Sequence, residues 1–215
     1  MKFQYIKVCG LRKKDNIVDI ISTGISHIGF IFYKKSPRYA VGKLDPQFAK
    51  SINTVKKVGV FVNASPSDIV DKIESYGLDM IQLHGSESPQ FCDDLKKQIS
   101  VMKAFNIKSE NDIQKANDYH GSCDYFLFDA AGKSAGGNGV LFNWNLLDNY
   151  RGETPFFLSG GIGLEELGQI QRFTHSQCVG VDVNSKFESE PGIKKTQEIK
   201  KFMEGLKASN KTTIS

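Results

Sequence analysis

Residues 57–92 read KVGVFVNASPSDIVDKIESYGLDMIQLHGSESPQFC. The run VGVFVNA is nearly continuous in apolar side chains and rich in β-branched ones, which suits a strand buried on both faces of a parallel sheet. Ser65-Pro66 then places an N-cap residue before a proline at the first helical position. Ile69, Val70 and Ile73 fall on one face of the helix that follows, and Gly77 is placed to end it. MIQLHG resumes the strand pattern. Ser88-Pro89 starts a second helix, with Phe91, Cys92 and Leu95 on its apolar face. The order strand, helix, strand, helix is the βα repeat.

The same alternation runs along the whole chain. YIKVCG, IGFIFY, VMKAFNI, YFLFDA, FFLSGGI and VGVDVNS join the two runs above, making eight that begin near Gln4, His27, Lys57, Asp79, Ser100, Cys123, Pro155 and Cys178. Their starts lie about 25 residues apart, the size of one βα unit. Asp45-Pro46 marks another helix start, with Phe48, Ala49 and Ile52 on one face. The last helix carries Ile199, Phe202, Met203 and Leu206, and the segment near Leu146 and Leu147 has the weakest helical pattern. No proline- or glycine-rich linker divides the chain. Eight units predict an α/β fold, a single (β/α)8 TIM barrel over residues 1–207, with a frayed tail over 208–215. An open doubly wound sheet competes, but no GxGxxG follows the first strand, which weakens its dinucleotide-binding version.

Composition narrows the function classes. The chain has 215 residues, 40% hydrophobic and 24% charged, as in an ordinary soluble globular protein. A net charge of +4 is too mild for nucleic acid, which needs a clustered basic face. It modestly favours an anionic small molecule. No apolar run approaches the roughly 18 residues of a membrane span, and Met1 to Tyr5 lack a signal peptide's apolar region. A cytoplasmic protein is expected, monomeric or weakly homodimeric, with neither nucleic acid nor membrane as partner. The four cysteines, Cys9, Cys92, Cys123 and Cys178, form no CxxC pair, so no zinc site is expected. The default reading of each is a buried thiol.

In a barrel, the strand C-termini and the loops after them carry the site. The polar residues at those ends are Cys9, His84, Asp129, Ser159, Asp182 and Asn184. Cys9 closes the first strand. It is either a filler or a nucleophile or base, since a free thiol titrates near about 8.5. Lys7, two residues earlier, faces the same side and would favour the thiolate. Asp129 closes the sixth strand. It is either a loop-capping carboxylate or, if burial raises its pKa, a general acid. His84 reads as ligand-facing or hydrogen-bonded, with no neighbour at metal-site spacing. Gly136, Gly137 and Gly139 follow the sixth strand; Gly160, Gly161 and Gly163 follow the seventh and are expected to open a helix. Barrels often hold phosphate after strands seven and eight on backbone N–H groups. Turn glycines are the plain alternative. Arg38 in SPRYA can grip a carboxylate or phosphate bidentately, or be a solvated loop charge.

Several of these stretches occur together in one family. KVCGLRKKDNI, SPRYA, MIQLHG, LFDA followed by GGNGVLFNW, LSGGI, and VDVNSKFESEPGIKK stand in order and span Val8 to Phe202. Their combination resembles the phosphoribosylanthranilate isomerases. The resemblance implies a (β/α)8 barrel and an Amadori rearrangement of N-(5-phosphoribosyl)anthranilate, a small phosphorylated substrate, with no cofactor and no metal. It implies that Cys9 and Asp129 are catalytic and that Arg38 binds the substrate carboxylate. It places phosphate contacts at Gly160, Gly161, Asn184 and Ser185, beside His84 and Asp182, with loop contacts from Gly136, Gly137, Asn138 and Gly139. The chain departs from the family's GGTGKxFDW pattern at Asn138, Val140 and Asn143, and has Lys186 where DVSSG-type sequences have glycine.

Rival readings remain at this stage. Another phosphate-binding barrel is one: the histidine-pathway aminoaldose isomerase has an aspartate at the place of Cys9, and indole-glycerol-phosphate synthase needs a lysine/glutamate set not found here. A non-catalytic phosphate-ligand barrel would have no reason to keep both Cys9 and Asp129. A redox thiol protein would need a resolving cysteine near Cys9.

Overall fold

Eight strands pair in sequential order, all parallel, and the eighth closes on the first. They are β1 Tyr5–Cys9, β2 His27–Ile31, β3 Lys56–Phe61, β4 Met80–Leu83, β5 Ser100–Asn106, β6 Tyr125–Asp129, β7 Phe156–Ser159 and β8 Cys178–Val183. The computed structural model describes residues 3–129 and 144–208. The closed (β/α)8 barrel is the predicted fold, and the open sheet is excluded.

The alternation of side chains sorts the strands into two cores. Val58, Met80, Met102, Ala104, Leu127 and Phe157 pack inside the barrel. The outward set, including Val8, Ile28, Ile81, Val101 and Phe128, packs beneath the helices. Both faces are buried, which is why the strands read as continuous apolar runs. At the strand entry end, Tyr5 stacks on Phe157 with ring centroids 5.8 Å apart, and His27 and Tyr125 meet Phe157 edge-on. This aromatic plug closes one end of the barrel and leaves the other for the site. Burial, with help from the Lys7 charge, holds His27 down to about 4, so it is a neutral part of the plug.

The helices are α1 Lys14–Ile21, α2 Pro46–Ser51, α3 Pro66–Tyr76, α4 Pro89–Lys96, α5 Glu110–Lys115, α6 Leu167–Arg172 and α7 Thr196–Ala208. The three predicted Asp/Ser-Pro starts are true caps. Asp45 accepts from Gln47 N, Ser65 from Asp68 N and Ser88 from Phe91 N. Gly77 ends α3 in the left-handed conformation, φ 61°. The segment after β6 is a 3₁₀ helix, Trp144–Asn149, in keeping with its weak pattern. One expectation fails locally: Gly160 and Gly161 do not open a helix. Their φ values of 97° and 66° are incompatible with a right-handed helix, and α6 begins only at Leu167. Between β8 and α7 lie a 3₁₀ turn, Ser185–Phe187, and a small antiparallel hairpin of β9 Glu188–Glu190 and β10 Ile193–Lys194. The tail beyond Ala208 lies outside the described residues.

A buried ion pair braces the loop after β4. Lys103 of β5 donates to Glu87 Oε2 at 3.0 Å, to Gly85 O at 2.7 Å and to Leu83 O at 3.1 Å. Glu87 in turn accepts from the Gly85 and Asn63 amides. Removing one partner of such a pair leaves an uncompensated buried charge. Lys103→Met is expected to cost about 3–5 kcal/mol in urea unfolding; a loss below about 1 kcal/mol, the range of exposed pairs, would contradict this account of the loop.

Candidate active site

The C-terminal ends of the strands surround one cavity of about 190 Å³. Cys9, Gln82, His84, Asp129, Ser159 and Asp182 line it from the strands, and Gly160, Gly161, Asn184, Ser185 and Lys186 from the loops after β7 and β8. Strand alternation explains the set. Inward positions are mostly apolar or aromatic lower in the barrel, apart from His27 in the plug and Lys7 below Cys9, and become polar toward the strand C-termini.

Cys9 is 4% exposed. Space for its sulfur exists because its register partner is Gly29, where a Cβ would stand 2.8 Å from Sγ. Gly10, with φ +81°, turns the chain outward; a Cβ there would come within 2.7 Å of Arg38 Cδ and 2.9 Å of Asn184 Oδ1. The Cys-Gly pair therefore fits the thiol and lets two loops close over it.

Lys7 is fully buried below Cys9. Its Nζ donates to Asp182 Oδ1 at 2.8 Å, and Ser159 Oγ donates to Asp182 Oδ2 at 3.0 Å. Both oxygens of Asp182 are thus engaged by protein. Burial pulls the Lys7 ammonium down, but Asp182 and Cys9 outweigh it and its pKa lies above the ordinary value. The effect on Cys9 corrects the expectation of a favoured thiolate. Lys7 does pull the thiol down, but burial is larger and Asp182 adds to it, so the pKa is raised. Cys9 rests as a thiol at neutral pH.

Asp129 lies at the cavity mouth. Its Oδ2 is 3.8 Å from His84 Nε2, and both side chains are about a quarter exposed, at 23% and 24%. Asp129, which the sequence left open between a loop-capping and a buried carboxylate, is thus partly open to solvent. His84 Nδ1 lies 3.0 Å from Gln82 Nε2. Burial lowers the His84 pKa against the opposing pull of Asp129, so the ring is neutral at pH 7. With Gln82 donating to Nδ1, the ring proton sits on Nε2 and faces Asp129; this tautomer follows from the hydrogen-bond assignment. Gln82 Oε1 is buried with no hydrogen-bond partner among the described residues.

Arg38 stands at the rim, beside Gly10 and Asn184. It is not a solvated loop charge. Its Nε and Nη2 donate to Glu188 at 2.9 and 2.6 Å. Lys186, the departure after β8, lines the cavity and reaches Glu166 at 4.0 Å. Gly136, Gly137, Asn138, Gly139, Val140 and Asn143 lie outside the described residues. Sequence reading missed Gln82, Glu188 and Lys194. Gln82 carried a signal, being two residues before His84 on one strand face. Glu188 and Lys194 sit in a charged loop that reads as solvated. Among the described residues, no three His, Cys, Asp or Glu side chains are grouped to hold a metal ion, and no helix is long and apolar enough to cross a membrane.

Known proteins resemble this chain in sequence and fold. A family model described as N-(5'phosphoribosyl)anthranilate (PRA) isomerase matches residues 6–205. The N-(5'-phosphoribosyl)anthranilate isomerase of Parabacteroides distasonis is 45% identical over 204 residues, covering 94% of this chain and 92% of that one. That of Phocaeicola vulgatus is 44% identical over 203 residues, covering 94% and 97%. The crystal structure of the Thermotoga maritima enzyme superposes with a TM-score of 0.81 at 31% identity, covering 95% of this chain and 98% of that one. A phosphoribosyl anthranilate isomerase in complex with reduced 1-(o-carboxyphenylamino)-1-deoxyribulose 5-phosphate superposes with a TM-score of 0.78 at 30% identity, covering 95% and 98%. With fold and sequence agreeing over nearly its whole length, the chain belongs to the N-(5'-phosphoribosyl)anthranilate isomerase family.

Proposed function

We propose that this chain catalyses the Amadori rearrangement of N-(5'-phosphoribosyl)anthranilate to 1-(2-carboxyphenylamino)-1-deoxyribulose 5-phosphate, a step of tryptophan biosynthesis, with Asp129 as general acid and Cys9 as general base. The observation that carries the assignment of roles is that Cys9 and Asp129 reach one cavity from β1 and β6, strands that are not neighbours. A sugar held between them meets an acid on one side and a base on the other.

Asp129 gives a proton to the furanose ring oxygen. The bond from that oxygen to C1 breaks, and the nitrogen lone pair forms the C1 iminium. As the iminium charge develops, the Cys9 thiol loses its own proton to solvent. The thiolate then takes the proton from C2, the C–H electrons form the C1–C2 double bond of an enolamine, and the iminium electron pair returns to nitrogen. The C2 hydroxyl loses its proton, C1 gains one, and the ketone results. The substrate nitrogen is the electron sink. Each acid or base of this kind contributes about 10²–10⁴-fold. The neutral His84 ring faces Asp129 and orients it. The iminium charge forms beside a thiol already subject to the field of Lys7, and the two together offset burial when the base is needed. Arg38 takes the carboxylate. The backbone at Gly160-Gly161 and the turn at Asn184-Ser185 take the phosphate, fixing the sugar between acid and base.

A relative from Thermotoga maritima is described as dimeric. For this chain, a cytoplasmic monomer or weak homodimer is the reading, with Val18 the one exposed large hydrophobic side chain among the described residues.

In a fluorescence assay that follows freshly made substrate, Cys9→Ala and Asp129→Asn are each expected to lose at least about 10²-fold in kcat while keeping the wild-type melting curve. Near-normal turnover in either variant removes that residue from its role. Arg38→Ala is expected to raise KM with little change in kcat; an unchanged KM contradicts the carboxylate contact. The raised Cys9 pKa gives a separate test. Alkylation of Cys9 by iodoacetamide, followed by mass spectrometry, is expected to be slow at pH 7 and to keep accelerating above pH 9. A rate already at its plateau at pH 7 would mean a resting thiolate.

A further inference from the structure

We propose that Glu188 is the positioning residue for Arg38, and that with Lys194 it joins the carboxylate and phosphate ends of the substrate site into one rigid unit. The inference rests on the functional reading above.

Glu188 opens β9 and its side chain is 5% exposed. Its Oε1 accepts from Arg38 Nε at 2.9 Å, Gly192 N at 2.9 Å and Lys194 Nζ at 2.6 Å; Oε2 accepts from Arg38 Nη2 at 2.6 Å. A carboxylate offers about four acceptor sites, so Glu188 has none left for substrate. Its consequence for catalysis must pass through what it holds. The guanidinium is planar and its donors stand in a fixed fork. With the Nε–Nη2 edge on Glu188, the orientation of the Nη1 end is determined, and that end is left to grip an incoming carboxylate.

Lys194 carries the constraint to the other end of the site. Its Nζ also donates to Asn184 Oδ1 at 2.6 Å, and Asn184 lines the cavity beside Ser185. Arg12 closes the frame from outside. It donates to Pro37 O at 2.9 Å and to Pro191 O at 2.7 Å, tying the loop that bears Arg38 to the hairpin that bears Glu188. Two cations against one carboxylate leave a net charge of about +1 at the rim, which suits an anion. The unit therefore selects a ligand with two anionic ends at a set separation.

The test is a double-mutant cycle on turnover. Glu188→Gln keeps the shape and removes the charge. It is expected to raise KM about 10- to 100-fold, the range for a hydrogen bond to a charged group, with kcat little changed. In an Arg38→Ala background the same substitution is expected to raise KM by a clearly smaller factor than it does alone, because only the route through Lys194 and Asn184 is left. An unchanged KM in Glu188→Gln, or an equal rise with and without Arg38, overturns the proposal. If Glu188→Gln does not fold, Glu188→Asp retracts the carboxylate while keeping its charge, and the same cycle decides. Absence of wild-type turnover would instead overturn the functional reading.

Discussion

A lysine with no exposed surface lies inside the barrel, and the chemistry of the site depends on how its charge is held. Lys7 and Asp182 are register partners on β1 and β8 and meet at 2.8 Å. They are 175 residues apart in the chain, so only closure of the barrel brings them together. A buried charge left alone costs several kcal/mol. The pair therefore makes an open barrel costly and places a fixed dipole one residue layer below Cys9.

That dipole sets the behaviour of its neighbours. Lys7 pulls the Cys9 thiol down while burial and Asp182 push it up, leaving a protonated thiol. Lys7 also helps keep His27 neutral in the plug beneath. A permanent thiolate would be open to alkylation and oxidation. In the mechanism we propose, the thiol gives up its proton and becomes a base only when positive charge develops on the substrate, which avoids this and places the stabilisation in the reacting state rather than the resting one. Apart from this pair and His27, the lower interior is apolar and aromatic, so polar side chains gather toward the end of the barrel that holds the cavity.

Much of this was legible in the sequence because its signals are local. The β-branched runs, the three capped Asp/Ser-Pro starts and Gly77 each act within a few residues, and each is found where expected. The filter of polar residues at strand ends found Cys9, His84, Asp129, Ser159, Asp182 and Asn184, all of which line one cavity. What was illegible depends on contacts between distant segments. The Asp182 partner of Lys7 follows from closure. Glu188 and Lys194 look like loop charges until the hairpin folds onto Arg38. The thiol state of Cys9 is a balance of burial against charge, and no spacing of residues encodes it. The GGIG stretch was misread as a helix start because glycine marks both turns and helix ends, and only the backbone angles separate them.

The central claim is that Cys9 and Asp129 address one sugar from opposite sides. A crystal structure of this chain with reduced 1-(o-carboxyphenylamino)-1-deoxyribulose 5-phosphate tests it most directly. The expected density places the carboxylate on Arg38 and the phosphate against Gly160-Gly161 and Asn184-Ser185. Cys9 Sγ should lie at C2, with Asp129 across the sugar chain beside the former ring oxygen. An analogue with its phosphate elsewhere, or with Cys9 and Asp129 on the same side of the sugar, would contradict the account.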